Sequence, residues 1–235
     1  MLLYIIRHGD PDYATDSLTE LGKKQAEAVA KRLQRSNINA VYTSPMRRAI
    51  QTAEPTCRLL GLDYKIEPWA YELHGEEKTT YPDGDLISIS NLQSTLLREN
   101  GEMDIPFPRM FECKALAQSK VEGEFNRIRD NGRDFLERLG YKEENGIYRI
   151  IKPNDDRVAL FCHAICSRLW LSELLHIPLH IMWSSFYAHF HTGVTIIDFK
   201  NHKNGFTSPK CFCYTDTSHL YAEGLEVGHP KNSII

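Results

Sequence analysis

Three stretches of this chain run from apolar, β-rich residues into side chains able to handle an anion. Leu2 to Ile6 leads into Arg7, His8 and Gly9; Asn39 to Thr43 leads into Ser44, Arg47 and Arg48; Val158 to Cys162 leads into His163. A neutral imidazole is a nucleophile near neutral pH, and arginine's planar fork grips phosphate oxygens in pairs. A glycine beside them lets the backbone come close. Converging cations repel one another where water is scarce unless an anion sits between them, so a phosphate is the ligand this set fits best. Taken singly, an Arg-His pair reads as a surface ion pair and a lone His163 as a satisfied core histidine. Agreement among three strand ends is what points to a site.

For those groups to meet, the strands must lie side by side with their carboxyl ends on one edge, where open α/β sheets bind ligands. The intervening sequence supplies the rest of that pattern. Residues 17 to 35 predict a helix, with Ser17 or Thr19 as cap, Glu20 in the first turn, and Leu21, Ala28, Val29 and Leu33 on one face. After "NAVYTS", "SPMRRAIQTAEPTCRLLG" predicts a second helix with Ser44 as N-cap, Pro45 at the first helical position and Gly61 as terminator. "RVALFCHAICSRLWLSELL" repeats the unit as a strand over 158–162 and an amphipathic helix. The expected fold is a three-layer α/β/α sandwich with a mainly parallel central sheet. Residues 1–235 are read as one domain, with a surface insertion at about 73–156. That insertion is expected to carry a Pro-rich stretch, one sheet-covering helix near Val121 to Leu139, and a hairpin turning at Asn145-Gly146. Two further strands follow, in "TGVTIIDF" and "KCFCYTD".

Composition narrows the function classes. At 42% hydrophobic and 25% charged, the chain is an ordinary globular one, and its formal net charge of -3 leaves no basic footprint for nucleic acid. The first apolar run is too short to cross a membrane and lacks the features of a signal peptide, so a cytoplasmic protein with no membrane partner is expected. Six cysteines are too few for a disulfide scaffold. Cys162 and Cys166 flank His163, and Cys211 and Cys213 form a C-x-C, but no second pair completes four zinc ligands; buried, inert thiols are expected, with no metal.

Four blocks taken in order, "YIIRHGD", "LTELGKKQAEA", "VYTSPMRRAIQTA" and "VALFCHAICSRLWLSELL", resemble the signature blocks of the histidine phosphatase superfamily, the phosphoglycerate mutase-like proteins. "TDTSHL" also resembles a stretch common near the end of bacterial members. The resemblance implies that His8 attacks phosphorus and becomes a phosphohistidine, that Arg7 and Arg48 clamp the phosphate, and that His163 is the pocket's second histidine. Arg47 would then be a surface or rim residue. It also implies a carboxyl that protonates the leaving alcohol and later activates water. Glu72 in "IEPWAYELHGEE" is the first candidate, with Glu76, Glu77, Asp10 and Asp12 as alternatives. No cofactor is implied.

Two departures tilt the reading toward a phosphatase. Mutases of this family usually carry an Asn shortly after R-H-G, where this chain has "DPDYATD", and Ala164 stands where Gly is usual after the second histidine. The expected activity is hydrolysis of a phosphomonoester by a histidine acid phosphatase-like enzyme. A mutase-type phosphotransferase and a non-catalytic phospho-ligand module are the rivals. The substrate expected is a phosphorylated small molecule, with a phosphopeptide as the other class admitted. His74, His189 and His191 are further candidates for the pocket's surroundings, with an ordinary structural or surface role the first reading of each. Trp69, Trp170 and Trp183 suit core or interface equally, and the oligomeric state stays open.

Overall fold

The computed structural model describes residues 1–73, 78–80, 86–187 and 190–227. Strand β1 (Leu2–Arg7) forms because alternate apolar residues can be buried on both faces. Leu3 and Ile5 enter one core cluster, and Tyr4 and Ile6 the other. A small hairpin, β2 (Pro11–Asp12) and β3 (Ser17–Leu18), precedes α1 (Glu20–Arg35). Thr19 caps α1, its hydroxyl accepting from the Gly22 N–H, which decides between the two expected caps. Next come β4 (Ala40–Thr43), α2 (Arg47–Leu60) and β5 (Tyr64–Ile66), with Gly61 ending α2 in the left-handed conformation at φ 65°.

The chain then passes through β6 (Lys78–Thr80), β7 (Leu86–Ser88), α3 (Ser94–Glu99), α4 (Lys114–Ala117), α5 (Val121–Arg138) and the hairpin β8 (Tyr141–Glu144) and β9 (Ile147–Ile150). Asn145 and Gly146 take φ 53° and 87°, as a two-residue hairpin turn requires. The sheet resumes with β10 (Arg157–Cys162), followed by α6 (Ala164–Leu175), α7 (Leu179–Ser185), β11 (Val194–Asp198), β12 (Phe206–Thr207), β13 (Lys210–Asp216) and α8 (Ser218–Ala222).

The six-stranded sheet runs β13-β11-β1-β10-β4-β5. β1, β10, β4 and β5 are parallel, and β11 and β13 are antiparallel. Residues of α1 and α2 cover one face through Val29, Leu33, Ala53 and Cys57; α5 and α6 cover the other through Phe125, Ile128, Phe135, Leu169 and Trp170. Each such large side chain withdrawn from water contributes about 1.5–3 kcal/mol before entropy is counted.

Two expectations need correction. The helix after His163 is not amphipathic: Cys166, Ser167, Arg168, Leu169, Trp170, Leu171, Ser172, Glu173 and Leu174 are all buried. Within the segment after β5, α5 lies against the sheet, and the rest is more than a surface insertion, because Leu97, Met110 and Leu116 also lie in the main core with Trp170. A helix buried all round needs cover on its outer side, and this segment with α7 supplies it. All three tryptophans are buried, and Trp69 stacks edge-on against Trp170 at 5.1 Å.

Close packing of α5 on α6 depends on Gly132, where an added Cβ would meet Trp170 Cδ1 at 2.9 Å. Gly132→Ala is therefore expected to destabilise the chain by about 1–3 kcal/mol, despite alanine's better helix propensity. Urea unfolding followed by tryptophan fluorescence measures this; unchanged or raised stability would contradict the packing described.

Candidate active site

His8 lies just past β1, with its backbone N–H bonded to Cys162 O at 3.0 Å, so its position is set by the neighbouring strand β10. Behind it the chain presses directly on the first turn of α1. A Cβ on Gly9 would lie 2.7 Å from Gly22 O, and one on Gly22 would collide with Asp10 O, so both positions need glycine. The Gly9 N–H donates to Thr52 Oγ1 of α2 at 3.0 Å. His8 is 1% exposed. Its Nδ1 contacts Gly9 O at 2.7 Å, and a carbonyl can only accept, so Nδ1 carries the proton and the neutral ring keeps its lone pair on Nε2. Burial first, then the neighbouring His163 and Arg7, lowers its pKa well below the ordinary 6.5.

Two arginines flank it. Burial lowers the Arg7 pKa, opposed by Tyr13, whose hydroxyl bonds it, and by Glu72. Arg48, buried at the start of α2, pairs through Nη1 with Asp16; Asp16 Oδ2 also accepts the Arg47 N–H at 2.8 Å. Its Nη2 donates to Met46 Sδ, a weak acceptor, and its Nε has no partner among the described residues. One edge of the guanidinium is thus fixed, leaving the other for a stronger acceptor. The Tyr13 ring lies 5.6 Å from Arg48 Cζ and so spans both arginines. Arg47 is exposed at the rim.

His163 follows β10, its ring centre 5.1 Å from that of His8. Its Nε2 is 2.7 Å from Ser44 Oγ, and that oxygen accepts the Met46 N–H at 3.2 Å. Ser44 is therefore not the N-cap of α2, which begins two residues later than expected, at Arg47 after Met46. The serine ends β4 and braces His163 instead. Glu72 sits at the N-terminus of α6, accepting from Cys166 N at 3.0 Å and from Ile165 N and Leu73 N at 3.2 Å. Burial raises its pKa, opposed by those N–H groups and by Arg7. Burial favours its protonated form, and the N–H donors and Arg7 favour the carboxylate.

The structure thus brings Arg7, His8, Arg48, His163 and Glu72 together. It adds His191, 3% exposed, with its ring 5.8 Å from His8 and its Nδ1 3.5 Å from Asp10 Oδ1. Asp10 Oδ2 in turn accepts from Thr19 Oγ1 at 2.6 Å. Asp12 holds its own turn, bonded to Ala14 N and Thr15 Oγ1. His74, Glu76, Glu77 and His189 lie outside the described residues. Tyr13, Asp16 and Thr52 are positioning residues that pattern reading left unassigned, and Ser44 is one it assigned as a helix cap. Cys162 and Cys166 are buried, which pushes both thiols up, whereas Cys211 is exposed on the edge strand β13. Among the described residues, no group of three or more His, Cys, Asp or Glu side chains could hold a metal ion.

A neutral imidazole with an outward lone pair, two guanidinium groups and an adjustable carboxyl can transfer a phosphoryl group. The same burial has a cost in stability. His8 lies well below 6.5, burial also lowers His180, and His219 is pushed down to about 4, mainly by burial. The unfolded chain therefore takes up more protons below about pH 6.5, and stability falls as the pH drops toward 4. Glu72, raised in the fold, has the opposite sign and offsets part of the loss. Urea midpoints across this range should decline, and less steeply in His219→Gln; a flat or rising profile would contradict these protonation states.

A sequence profile described as the histidine phosphatase superfamily (branch 1) matches residues 3–131. The probable phosphoglycerate mutase GpmB of Photorhabdus laumondii is 35% identical over 81 residues, covering 31% of this chain and 38% of that protein. Among solved structures, Entamoeba histolytica phosphoserine phosphatase in complex with 3-phosphoglyceric acid superposes with a TM-score of 0.60 at 18% identity, over 93% of this chain and 98% of that one. Mycobacterial glucosyl-3-phosphoglycerate phosphatase gives 0.59 at 18%, over 91% and 98%. Bacillus stearothermophilus YhfR gives 0.60 at 18%, over 93% and 98%. These likenesses show a shared mixed α/β fold, and no helix among the described residues is long and apolar enough to cross a membrane. With the profile matching more than half of its length, this chain belongs to the histidine phosphatase superfamily.

Proposed function

We propose that the chain hydrolyses a phosphomonoester through a phosphohistidine on His8, without a metal or other cofactor. The observation that carries this reading is the fixed tautomer of His8: Nδ1 is held on Gly9 O, so Nε2 is the nucleophile, and it stays unprotonated in mildly acidic solution. Nε2 attacks phosphorus, the ester oxygen departs with a proton, and water then cleaves the N–P bond to release phosphate. Arg7, Arg48 and His163 meet the charge on the equatorial oxygens in a transition state that needs alignment more than covalent help.

Glu72 is assigned the proton transfers, giving a proton to the leaving alcohol and taking one from the attacking water. Its contact with the α6 N-terminus and its proximity to Arg7 favour an enzyme over a ligand-binding module. Small phosphorylated acids are the substrates favoured, by analogy with the phosphoserine phosphatase and glucosyl-3-phosphoglycerate phosphatase that share the fold. A mutase-type transfer uses the same residues and is favoured by the likeness to GpmB, but the lack of an Asn in "DPDYATD" after Gly9 and Ala164 after His163 favour the phosphatase.

Turnover of an aryl phosphate with EDTA present should match turnover without it, and the wild type should trap acid-labile phosphate on the protein. His8→Ala should abolish both signals, and activity surviving that change or lost to EDTA would refute the mechanism. Arg48→Ala should lower kcat/KM by roughly 100- to 1000-fold, the usual effect of deleting a group that stabilises transition-state charge. Glu72→Gln should prolong the life of the trapped phosphohistidine; turnover as fast as wild type would remove Glu72 from the mechanism.

A further inference from the structure

We infer that Arg127 is a positioning residue for proton transfer: from α5 it clamps the segment that carries Glu72, and so aims that carboxyl at the oxygen leaving phosphorus. The inference deepens the reading of Glu72 given above and rests on it.

Glu72 lies on a stretch with little regular structure of its own. Past β5 the chain makes one short turn at Pro68–Ala70 and runs extended through Tyr71, at φ -73° and ψ 163°. Such a stretch is rigid only where its neighbours grip it. Its upstream end is tied to the sheet and to α5. The Glu67 N–H donates to Thr43 O at 2.8 Å, and the Glu67 carboxylate accepts Arg138 Nη1 and Nη2 at 3.0 and 2.8 Å and the Trp69 indole N–H at 2.9 Å. The downstream end is the carboxyl of Glu72 itself, set against the backbone N–H groups that open α6.

Arg127 holds the middle. Its Nη1 donates to Trp69 O at 2.6 Å, and its Cζ lies over the ring of Tyr71, the residue before Glu72, 3.9 Å from the ring centre. A guanidinium does both at once because its edge donates while its face covers an aromatic ring; an ammonium has no such face. The arginine is itself fixed. Glu124, one turn earlier on α5, accepts its Nε at 2.8 Å and pairs with its Nη2 at 2.7 Å. Arg127 and Arg138 lie about three turns apart on the same helix, so one face of α5 grips the segment at two points.

The pairing with Glu124 also selects position over charge as the means. Burial, Cys162 and Glu72 push the Cys166 thiol up; Arg127 opposes them, and Glu124 cancels part of that opposition. Cys166 is the residue whose N–H Glu72 accepts at 3.0 Å, so at that end of the pocket the two charges work against each other. What remains is placement. A proton passes efficiently only across a heavy-atom distance of about 2.6–3.2 Å, so a carboxyl on a loosened segment is a poor donor whatever its pKa. The chemical contribution of the chain between β5 and β10 is thus to hold the acid through α5.

Leaving-group dependence separates this role from a merely structural one. Phenyl phosphate expels a basic phenoxide that needs a proton as it departs, whereas 4-nitrophenyl phosphate expels a stabilised anion that does not, and kcat/KM covers the steps up to that departure. Arg127→Met should lower kcat/KM for phenyl phosphate by roughly 10- to 100-fold and for 4-nitrophenyl phosphate by less than about threefold, as a lost alignment of the acid implies. Inhibition by inorganic phosphate should not change, because Arg7, His8 and Arg48 keep their places. Arg127→Lys, which keeps a donor for Trp69 O without the covering face, should fall between wild type and Arg127→Met. Tyr71→Leu removes the other half of the contact and should show the same bias toward the activated ester; Tyr71→Phe should regain most of the lost rate. The two losses should not add in the double variant, since they report one contact. Equal losses on both esters, or no loss on either, would overturn the inference, and Tyr71→Leu carries the test should Arg127→Met fail to fold. Failure of the underlying reading is separate: Glu72→Gln would then treat the two esters alike. A Glu72→Gln that discriminates between them, beside clamp variants that do not, overturns the inference alone.

Discussion

Everything at this site follows from collecting positive charge where water is scarce. Arg7, Arg48 and His163 surround a buried His8, and the carboxylates nearest the arginines are Asp16, on one edge of Arg48, and Glu72, close to Arg7. Like charges in a low-dielectric crevice are tolerated only when the protein over-determines their positions or a ligand neutralises them. The fold does the first and leaves the second to substrate. His8 gives way by remaining neutral, and that same neutrality makes it a nucleophile.

The over-determination comes from strand order. β10 lies between β1 and β4 in parallel register, with Arg7 opposite Cys162 and Phe161 opposite Thr43. The residues that follow each strand, His8, His163 and Ser44, therefore emerge on one rim, and backbone hydrogen bonds from His8 N to Cys162 O and from Ser44 N to Phe161 O carry the register past the strand ends. A slip of one residue in any of these strands would turn His8 or His163 to the wrong face. Burial of alternate side chains in separate cores on the two faces prevents that slip.

The parts legible in the sequence are those governed by short-range rules. Two-sided apolar runs marked the central strands, Thr19 and Gly61 marked helix ends, and Asn145-Gly146 marked a hairpin. Residue types at strand ends exposed Arg7, His8, Arg48 and His163. What stayed hidden depends on distant partners. Asp16 reaches Arg48 across 32 positions, and nothing local in "YATDS" reveals it. The all-round burial of α6 depends on α7 and on the segment after β5, whose short helices have too few residues to show a period. Ser44 looked like a cap because serine before proline usually is one, yet the pocket's need to brace His163 outweighs that local preference.

Backbone strain shows how the remaining loops are held. Among the described residues, six other than glycine have positive φ: Asp16, Asn37, Asn145, His176, Thr192 and Thr215. Asn37, Asn145 and His176 follow a helix or form a hairpin turn, where that conformation is routine. The other three bear on the pocket. Asp16 holds Arg48, Thr192 follows His191, and Thr215 accepts the Phe190 N–H through Oγ1 at 2.8 Å. Threonine has no conformational reason to be left-handed, so two of them flanking the same loop mark a place where tertiary contacts override local preference. The hydroxyls explain why glycine does not replace them: each fixes one end of the segment that carries His191, and glycine would relieve the strain while releasing the segment. Local stability is thus given up at the margin of the pocket so that the side chains entering it keep one position.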